Sequence, residues 1–296
     1  MNNIVEQTIT PATHDLGAFE VRRAIPSRDR TMVGPFIFVD QFGPGSLDIG
    51  TGMDVRPHPH INLSTVTWLF QGAIDHRDSI GSYSTIRPGQ VNLMTAGSGI
   101  VHSERSPQAE RDAGPQLYGM QTWLALPDGR EEIDPAFEAV SDLPVIEGGG
   151  AKAIVIMGDL WGQRAETTTH AETIYAEIVL SPSGSIPIDD SADERALMLV
   201  GGEAEINGQA LGLYQLTVLK PGTTMTLACK SGGRVMYLGG EAFASKRHVW
   251  WNFVSSSRER IQQAREDWDQ GRFAEVPGDR DEYIPIPDTP KTVSYP

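Results

Sequence analysis

Short runs of β-forming residues, each closed by a glycine or proline turn, follow one another through the first half of the chain. Residues 65–70 end at Gln71-Gly72, Ile74–Asp78 end before Gly81, and Val91–Thr95 follow a Pro-Gly-Gln turn. No amphipathic helical stretch of useful length interrupts them. Short strands with such turns and no crossover helix predict an antiparallel barrel or sandwich. The predicted fold class is therefore all-β.

The second half of the chain repeats this pattern. Its predicted strands are residues 153–157, 173–180, 195–200 and 212–219, separated by turns such as Asn207-Gly208 and Pro221-Gly222. A length of 296 residues suggests two domains of roughly 150 residues each. We predict an N-terminal domain over 1–140 and a C-terminal domain over 141–296, and we interpret the acidic, proline-containing residues 131–144 as the linker.

A single helix is predicted close to the C-terminus. Ser256 could cap it, with Glu259 reaching back three residues later. Ile261, Ala264 and Trp268 recur at helical spacing, and Gly271 is a plausible end. The proline-rich residues 277–296 that follow are interpreted as extended packing or a tail.

Two short segments carry paired donor side chains, RPHPH at residues 56–60 and HSE at residues 102–104. Along a strand, residues i and i+2 face the same side, so His58 pairs with His60, and His102 with Glu104. If the two strands are neighbours, three imidazole nitrogens and one carboxylate oxygen converge. This set suits a redox-active first-row metal and is too rich in nitrogen for Mg²⁺ or Ca²⁺. The sequence therefore predicts one divalent metal ion in the N-terminal domain.

The internal repeat places no such ligands in the second half. Counting back from Gly202 as one counts back from Gly72 to the first histidine pair leads to Ile188 and Asp190. The predicted C-terminal domain therefore has the same β pattern without a metal site.

Other interpretations of two of these side chains stay open from sequence. Glu104 could be a structural carboxylate that forms a salt bridge with Arg105 or Arg56. His76 is interpreted as a turn residue hydrogen-bonded near Asp78 rather than as a ligand.

The amino-acid composition limits the binding partners and the cellular compartment that we expect. With 24 basic and 39 acidic residues, the net charge is −15, which disfavours phosphate backbones and anionic lipid surfaces. We therefore expect no direct nucleic-acid binding and no membrane binding. The single cysteine, Cys229, suits a reducing compartment, and the start MNNIVEQTIT lacks the zones of a signal peptide. We expect a cytoplasmic protein.

The segments RPHPH, TVTWLFQG, RPGQVNLMTAGSGIVHSE and VWWNFVSSSRERIQQAREDWDQGRF resemble the pirin family of bicupins. The resemblance implies two tandem cupin barrels, which are double-stranded β-helices, with a short C-terminal helix. It implies one metal in the N-terminal barrel, with His58, His60, His102 and Glu104 as ligands. The expected ion is Fe(II), with Mn, Ni, Cu or Zn as alternatives. Many pirins continue with an HRGFET-like sequence after the histidine pair, whereas this chain reads HINLST, so the pocket wall differs.

Some members of this family cleave the flavonol quercetin with O₂, and others act as regulators through protein partners. Our preferred hypothesis is an oxidoreductase like quercetin 2,3-dioxygenase, in which a small aromatic substrate and O₂ meet at the metal and Glu104 serves as general base. The alternative is a regulatory binding module whose metal state a protein partner recognises. A third interpretation is a metal-dependent isomerase or hydrolase on the same barrel.

Overall fold

The structure is a computed structural model that describes residues 4–15 and 19–288. In chain order the elements of the first half are β1 (Val5–Ile9), β2 (Ala12–Asp15), β3 (Glu20–Ile25), β4 (Phe36–Ser46), β5 (Asp54–His60), β6 (Leu63–Gln71), β7 (Ile74–Asp78), β8 (Tyr83–Ile86), β9 (Val91–Thr95), β10 (Ile100–Arg105), α1 (Gln108–Ala113), β11 (Gln116–Ala125) and β12 (Ala136–Val140). Those of the second half are β13 (Val145–Gly148), β14 (Ala151–Leu160), β15 (Gln163–Arg164), β16 (Thr173–Leu180), β17 (Ser185–Ile188), β18 (Glu194–Gly202), β19 (Glu205–Ile206), β20 (Gln209–Ala210), β21 (Leu216–Leu219), β22 (Met225–Ala228), β23 (Gly233–Gly240), β24 (His248–Trp250), β25 (Phe253–Ser255) and α2 (Arg258–Asp269). The all-β prediction is confirmed.

The chain forms two compact units. The histidine unit comprises His14–Val21, Phe42–Ser141 and Ala244–Pro296, and the second unit comprises Met1–Thr13, Arg22–Gln41 and Asp142–Phe243. The predicted domains 1–140 and 141–296 differ from these units at Met1–Thr13, Arg22–Gln41 and Ala244–Pro296. The physical reason is long-range packing, since β1 adds to β21, and β25 packs against β5 and β6.

Two antiparallel sheets build the histidine unit. One has the strand order β5-β10-β7-β8. The other has the order β12-β9-β6-β11-β4-β3-β2, of which β12, β9, β6 and β11 lie entirely within this unit. Side chains of the first sheet meet those of β6 and β11 in the second, so the sheets face each other across a shared interior. The predicted linker is wrong over Ala136–Val140, which forms β12 and pairs with β9 in register from Ala136 opposite Thr95.

Helix α2 follows the predicted hydrophobic spacing. Ile261 and Ala264 are buried in a cluster with Ile61 and Phe253. The helix ends at Asp269, and the positive φ of 64° at Gly271 explains the predicted stop.

Two details at the helices differ from prediction. The capping side chain is Ser257, whose Oγ accepts the Arg260 amide at 3.2 Å, whereas Ser256 hydrogen-bonds to the Glu131 carboxylate. The short helix α1 was not predicted, because none of its six residues is buried and its sequence therefore carries no apolar periodicity.

The second unit is built on an eight-stranded and a four-stranded sheet. Ile188, which the repeat aligns with a histidine, is fully buried in an apolar cluster with Leu197 and Val235. Over residues 4–15 and 19–288, the histidine unit holds the single group of three or more His, Cys, Asp or Glu side chains that is close enough to bind a metal. Within the described chain, no helix combines the length and apolar character needed to span a membrane.

Arg247 is the largest buried cation of the histidine unit. Its side chain is fully buried and donates to the Leu126 carbonyl at 2.8 and 3.2 Å and to the Asp128 carboxylate at 2.9 Å. We expect Arg247→Met to lower the free energy of unfolding by about 3 kcal/mol, because the buried Leu126 carbonyl loses both of its hydrogen bonds from a charged donor.

Urea unfolding followed by tryptophan fluorescence measures this loss. Arg280→Met is the matched control in the same unit, since that side chain is 61% exposed and lies 3.6 Å from its partner Glu275. We expect the control to change stability by less than about 0.5 kcal/mol. Equal stabilities for the two variants would contradict the structural role of Arg247.

Candidate metal centre

The two predicted donor segments lie side by side. Strands β5 and β10 pair antiparallel, with His102 opposite His58 and Ile100 opposite His60. All three imidazoles are buried, and their ligand atoms lie within 4.8 Å of one another. The nearest pair is His60 Nε2 and His102 Nε2, at 3.1 Å. The expectation that the two strands are neighbours is therefore confirmed.

Backbone carbonyls fix the tautomers of two of these rings. His58 Nδ1 donates to the Arg56 carbonyl at 2.9 Å, and His60 Nδ1 donates to the Asn252 carbonyl at 3.0 Å. Since a carbonyl oxygen only accepts, each Nδ1 carries the proton and each Nε2 presents a lone pair to the interior. Unprotonated nitrogens that face one another in a buried site are a donor set that fits a metal ion. No motif marks Asn252 in the sequence, and it lies 192 residues from His60.

Burial keeps these three imidazoles neutral. Burial, together with a smaller effect of the nearby His76 imidazole, lowers the pKa of His58 to about 4, against the raising effect of the hydrogen bond to the Arg56 carbonyl. The pKa values of His60 and His102 lie well below the ordinary range for the same reason, with the neighbouring histidines adding to the effect. Neutral imidazole is the form that binds a metal, so protons do not compete for this site at neutral pH.

The shift at His58 predicts a pH dependence of stability in the metal-free protein. The unfolded chain takes up a proton near the ordinary pKa of 6.5, whereas the folded chain does so only near pH 4. Stability is therefore complete above pH 6.5 and falls as the pH drops toward 4. Between pH 7 and pH 5 we expect wild type to lose about 2 kcal/mol more than His58→Asn does. Urea titrations at both pH values measure this difference, and parallel pH profiles would contradict it.

Glu104 lies in the same interior but outside the group of three converging imidazoles. Gln121 Nε2 donates to its two carboxylate oxygens at 2.8 and 3.0 Å, and Thr67 Oγ1 lies 3.5 Å from one of them. Burial raises the pKa of Glu104, against the lowering effect of Gln121 and of the nearby His76. The alternative of a salt bridge to Arg105 is wrong, because that guanidinium instead pairs with Asp54, Asp279 and Glu282.

A polar row crosses the sheet that faces Glu104. Thr67 lies opposite Gln121 on one neighbouring strand and opposite Asn92 on the other, so the three side chains share one face. Asn92 is 3% exposed. The next row on the same face includes Trp123, whose ring lies edge-on to His60 at 5.0 Å. The alternation of Thr65 and Thr67 in a strand was the sequence signal that could have located this wall.

His76 lies in strand β7 and not in a turn, so the predicted position is wrong. The predicted hydrogen bond is confirmed, since His76 Nε2 donates to Asp78 Oδ2 at 3.1 Å. Both side chains are buried, and β7 pairs with β10 so that Asp78 lies opposite His102. The pair therefore adjoins the group of three histidines.

Comparison with known proteins gives consistent matches over both halves of the chain. The family models described as Pirin and Pirin C-terminal cupin domain match residues 18–124 and 175–274. A "Pirin-like protein" of Caulobacter vibrioides is 44% identical over 93% of this chain and 96% of its own length. A protein of Pseudomonas aeruginosa named "Putative quercetin 2,3-dioxygenase PA1205" is 36% identical over 96% of this chain and 91% of its own. The crystal structure of a quercetin 2,3-dioxygenase from Acinetobacter baumannii superposes with a TM-score of 0.91 at 35% identity, covering 99% of this chain and 98% of that one.

Proposed function

The chain belongs to the pirin family of bicupin proteins, and on that premise we propose that it is a metal-dependent dioxygenase that cleaves a flavonol such as quercetin with O₂. The observation that carries the proposal is the group of three buried, neutral imidazoles with a buried carboxyl group beside it. The similarity to proteins named for quercetin 2,3-dioxygenase activity supports the substrate class.

In this proposal His58, His60 and His102 hold one Fe(II) ion through their Nε2 atoms, and Glu104 is the fourth side chain of the centre. Nitrogen ligands with a single carboxylate suit redox-active first-row ions. When bound, such an ion would supply Lewis acidity toward the substrate and redox chemistry toward O₂. The protein contributes a buried site from which bulk water is excluded, since each imidazole is at most 6% exposed.

Glu104 is the proton acceptor in this scheme. Burial raises its pKa, which makes its carboxylate a stronger base than a free glutamate, while Gln121 holds the carboxylate in place. Its role is to take the proton of the enolic hydroxyl group of a flavonol onto a carboxylate oxygen. Gln121 and Thr67 donate to the ionised form and so keep the base ready before the substrate enters.

The wall beside the histidines matches the chemistry of a flavonol, which is a flat aromatic molecule with several hydroxyl groups. The buried amide of Asn92 offers one donor group and one acceptor to such hydroxyls, and it shares its face of the sheet with Thr67 and Gln121. Trp123 adds an aromatic surface next to His60.

The test is flavonol consumption by protein loaded anaerobically with Fe(II) and then exposed to O₂. We expect quercetin absorbance to disappear together with dissolved O₂, in a one-to-one ratio. A flavone without the 3-hydroxyl group is the control substrate, since it has no enolic proton for Glu104 to accept, and it should stay intact. A fully metallated protein that leaves quercetin unchanged would contradict the proposal and favour the regulatory alternative.

A further inference from the structure

We propose that Asp78 and His76 are positioning residues that fix the tautomer and ring orientation of His102 in the metal centre. This inference rests on the proposed metal centre and is independent of the substrate. His58 and His60 are oriented by the backbone carbonyls of Arg56 and Asn252, which do not depend on the side chains of those two residues. His102 instead depends on two side chains of strand β7.

The hydrogen bonds run from His102 to His76 and from His76 to Asp78, and their directions follow from the carboxylate of Asp78. The carboxylate of Asp78 only accepts, so His76 carries its proton on Nε2, which lies 3.1 Å from Asp78 Oδ2. His76 Nδ1 is then unprotonated and can accept a hydrogen bond. It lies 3.4 Å from His102 Nδ1, which must be the donor of that pair. His102 Nε2 is consequently unprotonated, and it is the atom that lies 3.1 Å from the Nε2 of His60.

Both members of the pair are held rigidly. Asp78 is fully buried, and its other oxygen accepts the backbone amides of Ile80 at 3.1 Å and Ser82 at 2.9 Å. The ring of Phe137 stacks on that of His76 with centroids 4.6 Å apart and planes 17° apart. Because neither side chain can turn, the direction of the hydrogen bonds is set before a metal arrives.

His76 is not itself placed as a fourth ligand. Its Nδ1 faces the Nδ1 of His102, whereas the metal-facing nitrogen of His102 is Nε2, on the other side of that ring. Its remaining nitrogen is engaged by Asp78. His76 therefore lies behind a ligand, where a hydrogen-bonded carboxylate–imidazole pair raises the basicity of the ligand imidazole.

Asp78→Asn tests the direction of the hydrogen bonds. The two backbone amides require an oxygen, so the new NH₂ group must face His76 and donate to its Nε2. His76 would then carry its proton on Nδ1 and donate to His102, which would move the His102 proton to the metal-facing Nε2. We expect Co(II), used as the probe ion, to bind 10 to 100 times more weakly in a chelator competition. Asp75→Asn is the matched control, since this carboxylate lies on the same strand and accepts from Tyr83 and Thr85.

A second measurement determines the tautomers directly and does not depend on metal affinity. In the ¹⁵N NMR spectrum of the metal-free wild type we expect His102 to be protonated on Nδ1 and His76 on Nε2, and in Asp78→Asn we expect both to switch while His58 and His60 stay unchanged. A wild-type His102 protonated on Nε2, or an Asp78→Asn protein that binds Co(II) as wild type does, would overturn the inference. A wild type that binds Co(II) but consumes no quercetin would contradict the proposed function alone.

Discussion

A His60→Ala variant is expected to bind Fe(II) at least about 100-fold more weakly than wild type and to lose stoichiometric metal on gel filtration. His60 is only 1% exposed, and its Nε2 lies 3.1 Å from the Nε2 of His102. Its removal takes away one of the three nitrogen ligands and leaves two imidazoles with the Glu104 carboxylate, which is expected to hold a divalent ion much less tightly. Metal analysis of the purified, anaerobically loaded protein measures the loss.

The control for this variant is His248→Ala. His248 lies in the same unit but outside the group of three, so the metal content should equal that of wild type. A His60→Ala protein that unfolds in urea like wild type and still holds one metal per chain would exclude the three histidines as the binding site.

Glu104→Gln is expected to lower the turnover of quercetin by roughly 10²- to 10⁴-fold. The amide has nearly the same shape as the carboxylate, but it cannot accept the enolic proton of the substrate. It also places an NH₂ group against the amide of Gln121, which in the wild type donates to both carboxylate oxygens of Glu104. Initial rates at saturating quercetin, divided by the measured metal content, separate lost proton transfer from lost metal.

Glu138→Gln provides the matched comparison on the adjoining strand. Glu138 pairs with Leu93 and so faces away from the row that contains Asn92, and its replacement should leave turnover unchanged. Turnover per metal within threefold of wild type in Glu104→Gln would refute the assignment of Glu104 as the base.

The sequence was sufficient to predict that His58, His60 and His102 come together, because their spacing depends on local periodicity. Spacing of two along a strand places His58 with His60, and the pairing of β5 with β10 brings His102 opposite His58. The hydrogen bonds that orient the rings could not be predicted in the same way. Asn252 reaches His60 through the backbone across 192 residues, and no residue type marks a carbonyl acceptor.

The domain boundaries also depend on contacts between distant parts of the chain and not on local periodicity. The acidic, proline-containing residues 131–144 predict a linker, yet Ala136–Val140 pairs with β9 and supplies the Phe137 ring that stacks on His76. Terminal segments were assigned by chain order, whereas packing places Ala244–Pro296 in the histidine unit. Pairing over long sequence separation is set by tertiary contacts, which composition and periodicity do not encode.

The proposed function depends most directly on a single metal centre at the three histidines. Anomalous diffraction from crystals of Fe(II)-loaded protein, recorded on both sides of the iron edge, tests it. We predict one iron peak per chain, in contact with the Nε2 atoms of His58, His60 and His102. A stoichiometrically loaded protein whose iron peak lies elsewhere, or which shows no peak at these three atoms, would contradict the account.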